Sequence, residues 1–234
     1  MQIGLREAAG LLGVPERTVE KWIREDSLPA VRVGGQLRFN RTEILEWATS
    51  RRMTLSSVLF PGGARGERTG AGGLERAIRA GGIRYGVKGA DRHSVLEAAL
   101  SLMPMPDSAD RALLLQVMEA REAMGSTGIG DGIAIPHVRN PIVLDIPEPM
   151  ITLSFLEREV EFGSLDGRPV DTLFMMMSPT VDSHLAILSR LAFALRQPAF
   201  MEAVARRCPE TEILSQAASV DLLLLSRTPP GRQG

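Results

Sequence analysis

Two apolar rhythms run along this chain, and the change from one to the other divides it. Leu5, Ala8, Ala9 and Leu12 recur at helical spacing, and Gly13 marks the end of a short first helix. Pro15 falls where proline is tolerated, in the first turn of a second helix. Val19, Trp22 and Ile23 form its apolar stripe, with Glu16, Arg17, Glu20, Lys21 and Arg24 turned outward. Leu28-Pro29 ends it. Val31-Arg32-Val33 and Leu37-Arg38-Phe39 read as two strands, with Gly34-Gly35-Gln36 turning between them. Asn40 caps a third helix with Glu43 completing the capping box, and Ile44, Leu45 and Trp47 supply its apolar side.

Residues 61–73 contain one proline, six glycines and no periodic apolar pattern, so they read as an exposed, flexible linker. Met53 to Phe60 reads equally as strand or loop. Strands and helices then alternate. The pattern predicts a helix over 74–80, a short strand through Ile83, Tyr85 and Val87, and a helix started by Asp91 with Val95, Leu96, Ala99 and Leu102 inward. Asp107 or Ser108 opens another helix to about Met124, its apolar face Leu113, Leu114, Val117 and Met118. Strands follow over 150–155 and 160–162, and the almost continuous apolar run 170–177 has the character of a central strand. Helices over 182–196, 199–206 and 210–218 complete the pattern, and residues 228–234 read as a disordered tail. The expected division is 1–53, a linker over 54–73, a second domain over 74–220 and a tail over 221–234.

Composition narrows the classes. The net charge of −1 gives no global field to draw in nucleic acid, so any such affinity is local. The single cysteine, Cys208, excludes an internal disulfide and a thiolate metal cluster, and the three histidines are too far apart in sequence for a zinc-site spacing. No stretch reaches 18 apolar residues and no basic leader precedes an apolar run, so a cytoplasmic protein is expected.

The chemistry concentrates in Gly125-Ser126-Thr127-Gly128-Ile129-Gly130-Asp131-Gly132-Ile133-Ala134-Ile135-Pro136-His137. Four glycines in eight residues preclude a stable helix; Ile133 to Ile135 read as a short buried strand whose ladder Pro136 halts. A histidine at the end of such a strand suits a reactive imidazole, since an unperturbed ring is mostly neutral at pH 7 and can act as a nucleophile. A core or capping histidine is the plainer alternative. No nucleotide-binding Gly-x-x-x-x-Gly-Lys motif or magnesium-binding carboxylate cluster appears, which excludes ATP as the expected donor.

The stretch from Arg121-Glu122 through Gly-Ser-Thr-Gly-Ile-Gly to Gly-Ile-Ala-Ile-Pro-His137 resembles the site loop of the fructose/mannitol/nitrogen-regulatory enzyme IIA domains of the phosphoenolpyruvate-dependent phosphotransferase system. The resemblance runs through most of residues 74–216. It implies an α/β fold, a mixed sheet flanked by helices, with no cofactor. It further implies that His137 accepts a phosphoryl group on Nε2 from the phosphohistidine of a small HPr-like phosphocarrier protein. By the same resemblance Arg121 contacts the phosphoryl group, and His184 is a second active-site histidine that stabilises or orients the phosphorylated ring. Ser126 and Thr127 offer hydroxyls to phosphate oxygens or to the ring, Arg139 offers charge, and Ile129, Ile133 and Val138 serve either a docking patch or the core. His93 matches nothing catalytic and reads as surface.

The N-terminal order of two helices, a small wing and a helix resembles the excisionase-like, MerR-related helix-turn-helix domain. Glu7-Ala8-Ala9, Leu12-Gly13-Val14, Thr18-Val19, Trp22, Leu28-Pro29-Ala30, Arg32, Gly34-Gly35, Arg38-Phe39 and Trp47 carry that resemblance. It implies DNA binding, with Arg17, Lys21 and Arg24 toward bases or phosphates and Arg32 and Arg38 toward phosphates. Residues 1–53 hold nine Lys/Arg and seven Asp/Glu, a thin electrostatic footprint that a homodimer would double. A winged helix used for protein docking remains the alternative.

Two readings of the whole chain follow. One is a phosphorylation-responsive regulator of the nitrogen type, a phosphohistidine carrier rather than a stand-alone turnover enzyme, joined to a domain that binds DNA or a regulatory protein target. The other is a metabolic enzyme IIA relaying phosphate to a sugar-specific IIB protein.

Overall fold

The computed structural model describes residues 2–25, 28–51, 53, 72–138 and 146–227. Residues 54–71 of the expected linker, Arg139 and the expected disordered tail lie outside them.

The N-terminal unit packs three helices on a small antiparallel sheet. Helix α1 (Leu5–Leu12) closes on Gly13, whose left-handed backbone donates its N–H to Ala9 and Gly10. Helix α2 (Glu16–Glu25) buries Val19, with Trp22 and Ile23 half-buried. Strands β2 (Val31–Val33) and β3 (Gln36–Asn40) form the wing, and Gly34-Gly35 alone make the turn. A further strand, β1 (Gln2–Gly4), pairs with β3 and sets Ile3 opposite Phe39, both fully buried. Three residues are too few to show a period, so this strand was not legible beforehand. Asn40 caps α3 (Arg41–Ser50) by accepting the Thr42 N–H at 3.0 Å, one residue short of the Glu43 partner expected of a capping box. The rings of Trp22 and Trp47, 5.3 Å apart, join α2 to α3.

The second unit is a five-stranded sheet in the order β4-β7-β8-β6-β5, with β4 (Ile83–Val87), β5 (Gly128–Gly130), β6 (Ile133–Ala134), β7 (Met150–Val160) and β8 (Val170–Met177). β4 lies parallel to β7, β6 parallel to β8, and β7 and β5 run antiparallel to their neighbours β8 and β6. The sheet is therefore mixed. β8 is central and almost wholly buried, as its apolar run predicts. β7 is one strand where the pattern gave two. Glu157-Arg158-Glu159 broke the apolar rhythm, yet they are exposed on a strand extension whose backbone passes through a register irregularity before Val160 pairs with Val170.

Helices α4 (Leu74–Gly81), α5 (Arg92–Leu102), α6 (Arg111–Ala123), α7 (Val181–Ala194), α8 (Pro198–Ala205) and α9 (Glu210–Arg227) cover the sheet. α6 starts later than expected because Asp110, not Asp107 or Ser108, caps it by accepting the Leu113 N–H. Leu102 and Leu113, expected inward, are exposed at the helix margins. α9 runs well beyond the expected Ala218, and Asp221 in that extension accepts the N–H groups of Leu74 and Glu75 and pairs with Arg190. The extension thus supplies the N-terminal cap that α4 lacks in its own Gly73.

The two units share one continuous apolar core. α3 packs against α7 and β5, so that Leu45, Trp47 and Ala48 belong to the same cluster as Leu185, Leu188 and Leu191. α4 lies so close on β7 that a Cβ at Gly81 would stand 2.2 Å from the Ile151 carbonyl oxygen and 2.6 Å from the Thr152 nitrogen. Both are backbone atoms of a paired strand and have little freedom to yield. Gly81→Ala is expected to lower unfolding free energy by about 1–3 kcal/mol, the usual cost of overpacking, read as an earlier urea midpoint at unchanged slope.

Candidate functional site

The glycine-rich stretch folds as a tight hairpin, β5 to β6, rather than as an irregular loop. Its turn needs left-handed backbone at Gly130, Asp131 and Gly132, with φ of 88°, 51° and 74°. The Asp131 N–H donates to Asp166 at 2.9 Å, which holds the one residue there that carries a side chain. The start of β5 is fixed by Glu122 at the end of α6: its carboxylate accepts the Thr127 N–H at 2.8 Å and the Thr127 hydroxyl at 2.7 Å, all three groups buried. The Ser126 hydroxyl donates to the Phe162 carbonyl at 2.6 Å and accepts the Gly128 N–H at 2.9 Å. Both hydroxyls are therefore engaged in holding the loop, and both residues also line the pocket beside His137. Buried hydroxyls take the nearest strong partners, here a carbonyl and a carboxylate.

Pro136 does not end the strand pairing as expected. Proline lacks the donor but keeps the acceptor, and its carbonyl takes the Met176 N–H at 2.9 Å while His137 forms a parallel bridge to Met176. This seats His137 against the central strand with only 3% of its surface exposed. Its Nδ1 lies 2.7 Å from the Ile135 carbonyl, which can only accept, so Nδ1 carries the proton and Nε2 points the other way.

Nε2 faces a buried cluster. The His184 ring, from the first turn of α7, lies 5.3 Å away centroid to centroid at 43°. Glu46 reaches in from α3, its Oε1 3.0 Å from Nε2 but off-line for a hydrogen bond. Its Oε2 accepts from Arg121 Nη2 at 2.8 Å, and Arg121 Nη1 donates to the Gly125 carbonyl at 2.7 Å. With 10% of its side chain exposed, Arg121 is no solvated surface arginine. Burial, reinforced by His137 and Arg121 and opposed by Glu46, pushes the His184 pKa down to about 3, so this ring is neutral at pH 7. His137 Nε2, His184 Nε2, Arg121 Nε and Thr49 Oγ1 are buried without hydrogen-bond partners among the described residues.

Sequence reasoning brought His137, His184 and Arg121 to attention, and the fold brings all three together. It missed Glu46, because nothing in α3 by itself distinguishes an inward glutamate from an exposed one. It also gave Glu122 no role beyond its place in the pattern; a carboxylate five residues before Thr127, across a helix end, was the available signal. Ile129, Ile133 and Val138 are buried, at 6%, 2% and 8% exposure, and Ile129 also lines the pocket. His93 lies on the surface against Glu119. Arg17, Lys21, Arg24 and Arg32 are exposed and Arg38 half-buried, far from the cluster in the chain and outside it in space. Among the described residues, Glu46, His137 and His184 are the set whose potential metal-ligand atoms lie within 4.8 Å of one another. The Arg121 guanidinium already neutralises that carboxylate, so the cluster has the character of an anion site rather than a cation site. The space left among these side chains is about 20 Å³, room for about one water molecule.

The depressed His184 pKa sets a direction for pH. Unfolded, the imidazole titrates near 6.5; folded, near 3. Between those values the unfolded chain holds the extra proton, so this contribution to stability is complete above pH 6.5 and is lost as pH falls through the window, by at most about 1.4 kcal/mol per pH unit. Urea unfolding from pH 7 to pH 5 is expected to show that decline, and His184→Asn to flatten it.

Comparison with known proteins follows the same division of the chain. A family model described as the phosphoenolpyruvate-dependent sugar phosphotransferase system EIIA 2 domain matches residues 77–218, and a helix-turn-helix domain model matches residues 4–52. The chain is 34% identical over 147 residues to a nitrogen regulatory protein of Pseudomonas aeruginosa, covering 61% of this chain and 92% of that protein. It is 38% identical over 82 residues to a nitrogen regulatory protein of Escherichia coli K12, covering 34% of this chain and 49% of that one. The crystal structure of nitrogen regulatory protein IIA-Ntr from Neisseria meningitidis matches with a TM-score of 0.54 at 25% identity, over 62% of this chain and 98% of that one. No helix among the described residues is long and apolar enough to cross a membrane. A mixed sheet flanked by helices, a buried histidine at the end of its glycine hairpin and these matches together place the chain in the EIIA type 2 family of the phosphotransferase system, in its nitrogen-regulatory branch, with a helix-turn-helix domain fused ahead of it.

Proposed function

We propose that this protein is a phosphorylation-responsive regulator: His137 takes a phosphoryl group on Nε2 from the phosphohistidine of a small HPr-like phosphocarrier, and the N-terminal domain binds DNA. The observation that carries the reading is the fixed tautomer. With Nδ1–H committed to the Ile135 carbonyl, Nε2 is the ring nitrogen left to react, on the side where Glu46, Arg121 and His184 gather. Its lone pair attacks phosphorus; the new N–P bond forms as the carrier's N–P bond breaks, and the carrier imidazole keeps the electron pair. Arg121 supplies fixed positive charge to the transferring oxygens, the main form of help available in phosphoryl transfer. His184, uncharged through burial, sets its ring against that of His137 and so orients it.

For the N-terminal domain, the exposed row of Arg17, Lys21 and Arg24 on α2 with Arg32 and Arg38 on the wing suits a duplex, α2 toward the major groove and the wing toward the backbone. A second reading draws on the packing of α3 against the EIIA unit: the N-terminal domain serves protein docking, and His137 relays phosphate to a IIB protein. The exposed cationic row is what that reading leaves without a purpose.

Incubation with phosphoenolpyruvate, enzyme I and the carrier is expected to label the wild type and leave His137→Ala unlabelled; Arg121→Ala is expected to slow labelling about 100-fold or more. An unlabelled wild type refutes the relay. DNA binding is expected to weaken with salt, and Lys21→Ala to reduce the slope of log K against log salt by about one. Binding insensitive to salt, or none, favours the docking reading.

A further inference from the structure

We infer that the N-terminal domain is itself the resident ligand of the His137 site: the Glu46 carboxylate stands where the oxygens of a phosphoryl group on Nε2 would stand, so domain docking and phosphorylation of His137 exclude one another. This rests on the phosphoacceptor reading above.

Glu46 is the one charged residue that α3 buries, among Thr42, Ile44, Leu45, Trp47, Ala48 and Thr49. A carboxylate taken out of water between two units is costly unless matched, and here it is matched by groups that belong to the EIIA unit. One oxygen stands 3.0 Å from His137 Nε2 and the other accepts from Arg121, the cation that would meet the oxygens of a phosphoryl group on this ring. Thr49 and Ser50, three and four residues on, share the face that lines the pocket with Glu46, so the approach is made by a helix face and not by one stray side chain. The carboxylate oxygen 3.0 Å from Nε2 itself occupies the position that a phosphorus bonded to that nitrogen and its oxygens would need.

Two consequences follow. With α3 seated, His137 is closed to a carrier protein, so phosphorylation waits on departure of the helix. Once the N–P bond has formed as described above, any proton held between Nε2 and Glu46 has left with the carboxylate, and the new group brings close to two negative charges to the position Glu46 occupied. Arg121 then pairs with the phosphoryl oxygens, and like charge bars the carboxylate from returning. The cationic row on α2 is exposed even while α3 is docked, so docking does not mask it; phosphorylation releases the domain that carries it from a fixed position on the EIIA unit.

The test uses the full chain and two variants, Glu46→Gln, which keeps the shape and loses the charge, and Glu46→Lys, which sets a cation against Arg121; circular dichroism checks that each is folded. Small-angle X-ray scattering of the unphosphorylated proteins needs no carrier. Glu46→Lys is expected to give a larger radius of gyration than wild type, and the phosphorylated wild type to match it. Initial labelling by the carrier is expected to be at least fivefold faster for Glu46→Gln. An unchanged scattering profile for Glu46→Lys overturns the docking role of Glu46, and a Glu46→Gln labelling rate equal to wild type overturns the mutual exclusion. If neither wild type nor Glu46→Gln is labelled, the relay reading fails and the exclusion falls with it, while the scattering comparison still decides whether Glu46 holds the domains together.

Discussion

A buried carboxylate between a guanidinium and an imidazole is the constraint on which the arrangement of this chain turns. Glu46, Arg121 and His137 come from α3, the last turn of α6 and the end of the β5–β6 hairpin, segments 16 to 91 residues apart in sequence. Burying Glu46 or Arg121 alone would be strongly unfavourable, because an isolated charge loses its hydration without recompense. Together they neutralise one another, and the apolar surfaces around them close into a single core. The same mutual dependence makes the contact sensitive: a change of charge at any one member leaves the others buried and mismatched.

Beneath that cluster lies a hydrogen-bonded scaffold. The Glu122 carboxylate holds Thr127, the Ser126 hydroxyl holds Phe162, and the Ile135 carbonyl holds His137. These bonds fix the loop and the imidazole tautomer with groups that belong to the EIIA unit alone. A change of partner at Glu46 therefore leaves the bonds that shape the hairpin in place.

Much of the fold was readable because it depends on local rules. The capping residues Asn40 and Asp91, the stop at Gly13, the continuous apolar run of β8 and the glycine hairpin each impose their conformation within a few residues. The elements that escaped were those whose partners lie elsewhere. β1 is a strand only because β3 offers it an edge, β7 continues past three charged residues because its backbone rejoins β8 where Val160 pairs with Val170, and the last turns of α9 persist because Asp221 meets the first N–H groups of α4.

The candidate site divides along the same line. Residue type and spacing singled out His137, Arg121 and His184, since an imidazole after a glycine hairpin and an arginine at a helix end carry their chemistry with them. What the sequence could not contain was the direction in which each side chain points and what stands opposite. Whether Ser126 and Thr127 face a ligand or their own loop, and whether Glu46 faces water or His137, is decided by packing between segments far apart in the chain. A glutamate in a short amphipathic helix looks the same in either setting; only the docking of α3 on α7 and β5 turns it into the counter-charge of Arg121, because desolvation forces a buried carboxylate to find its cation.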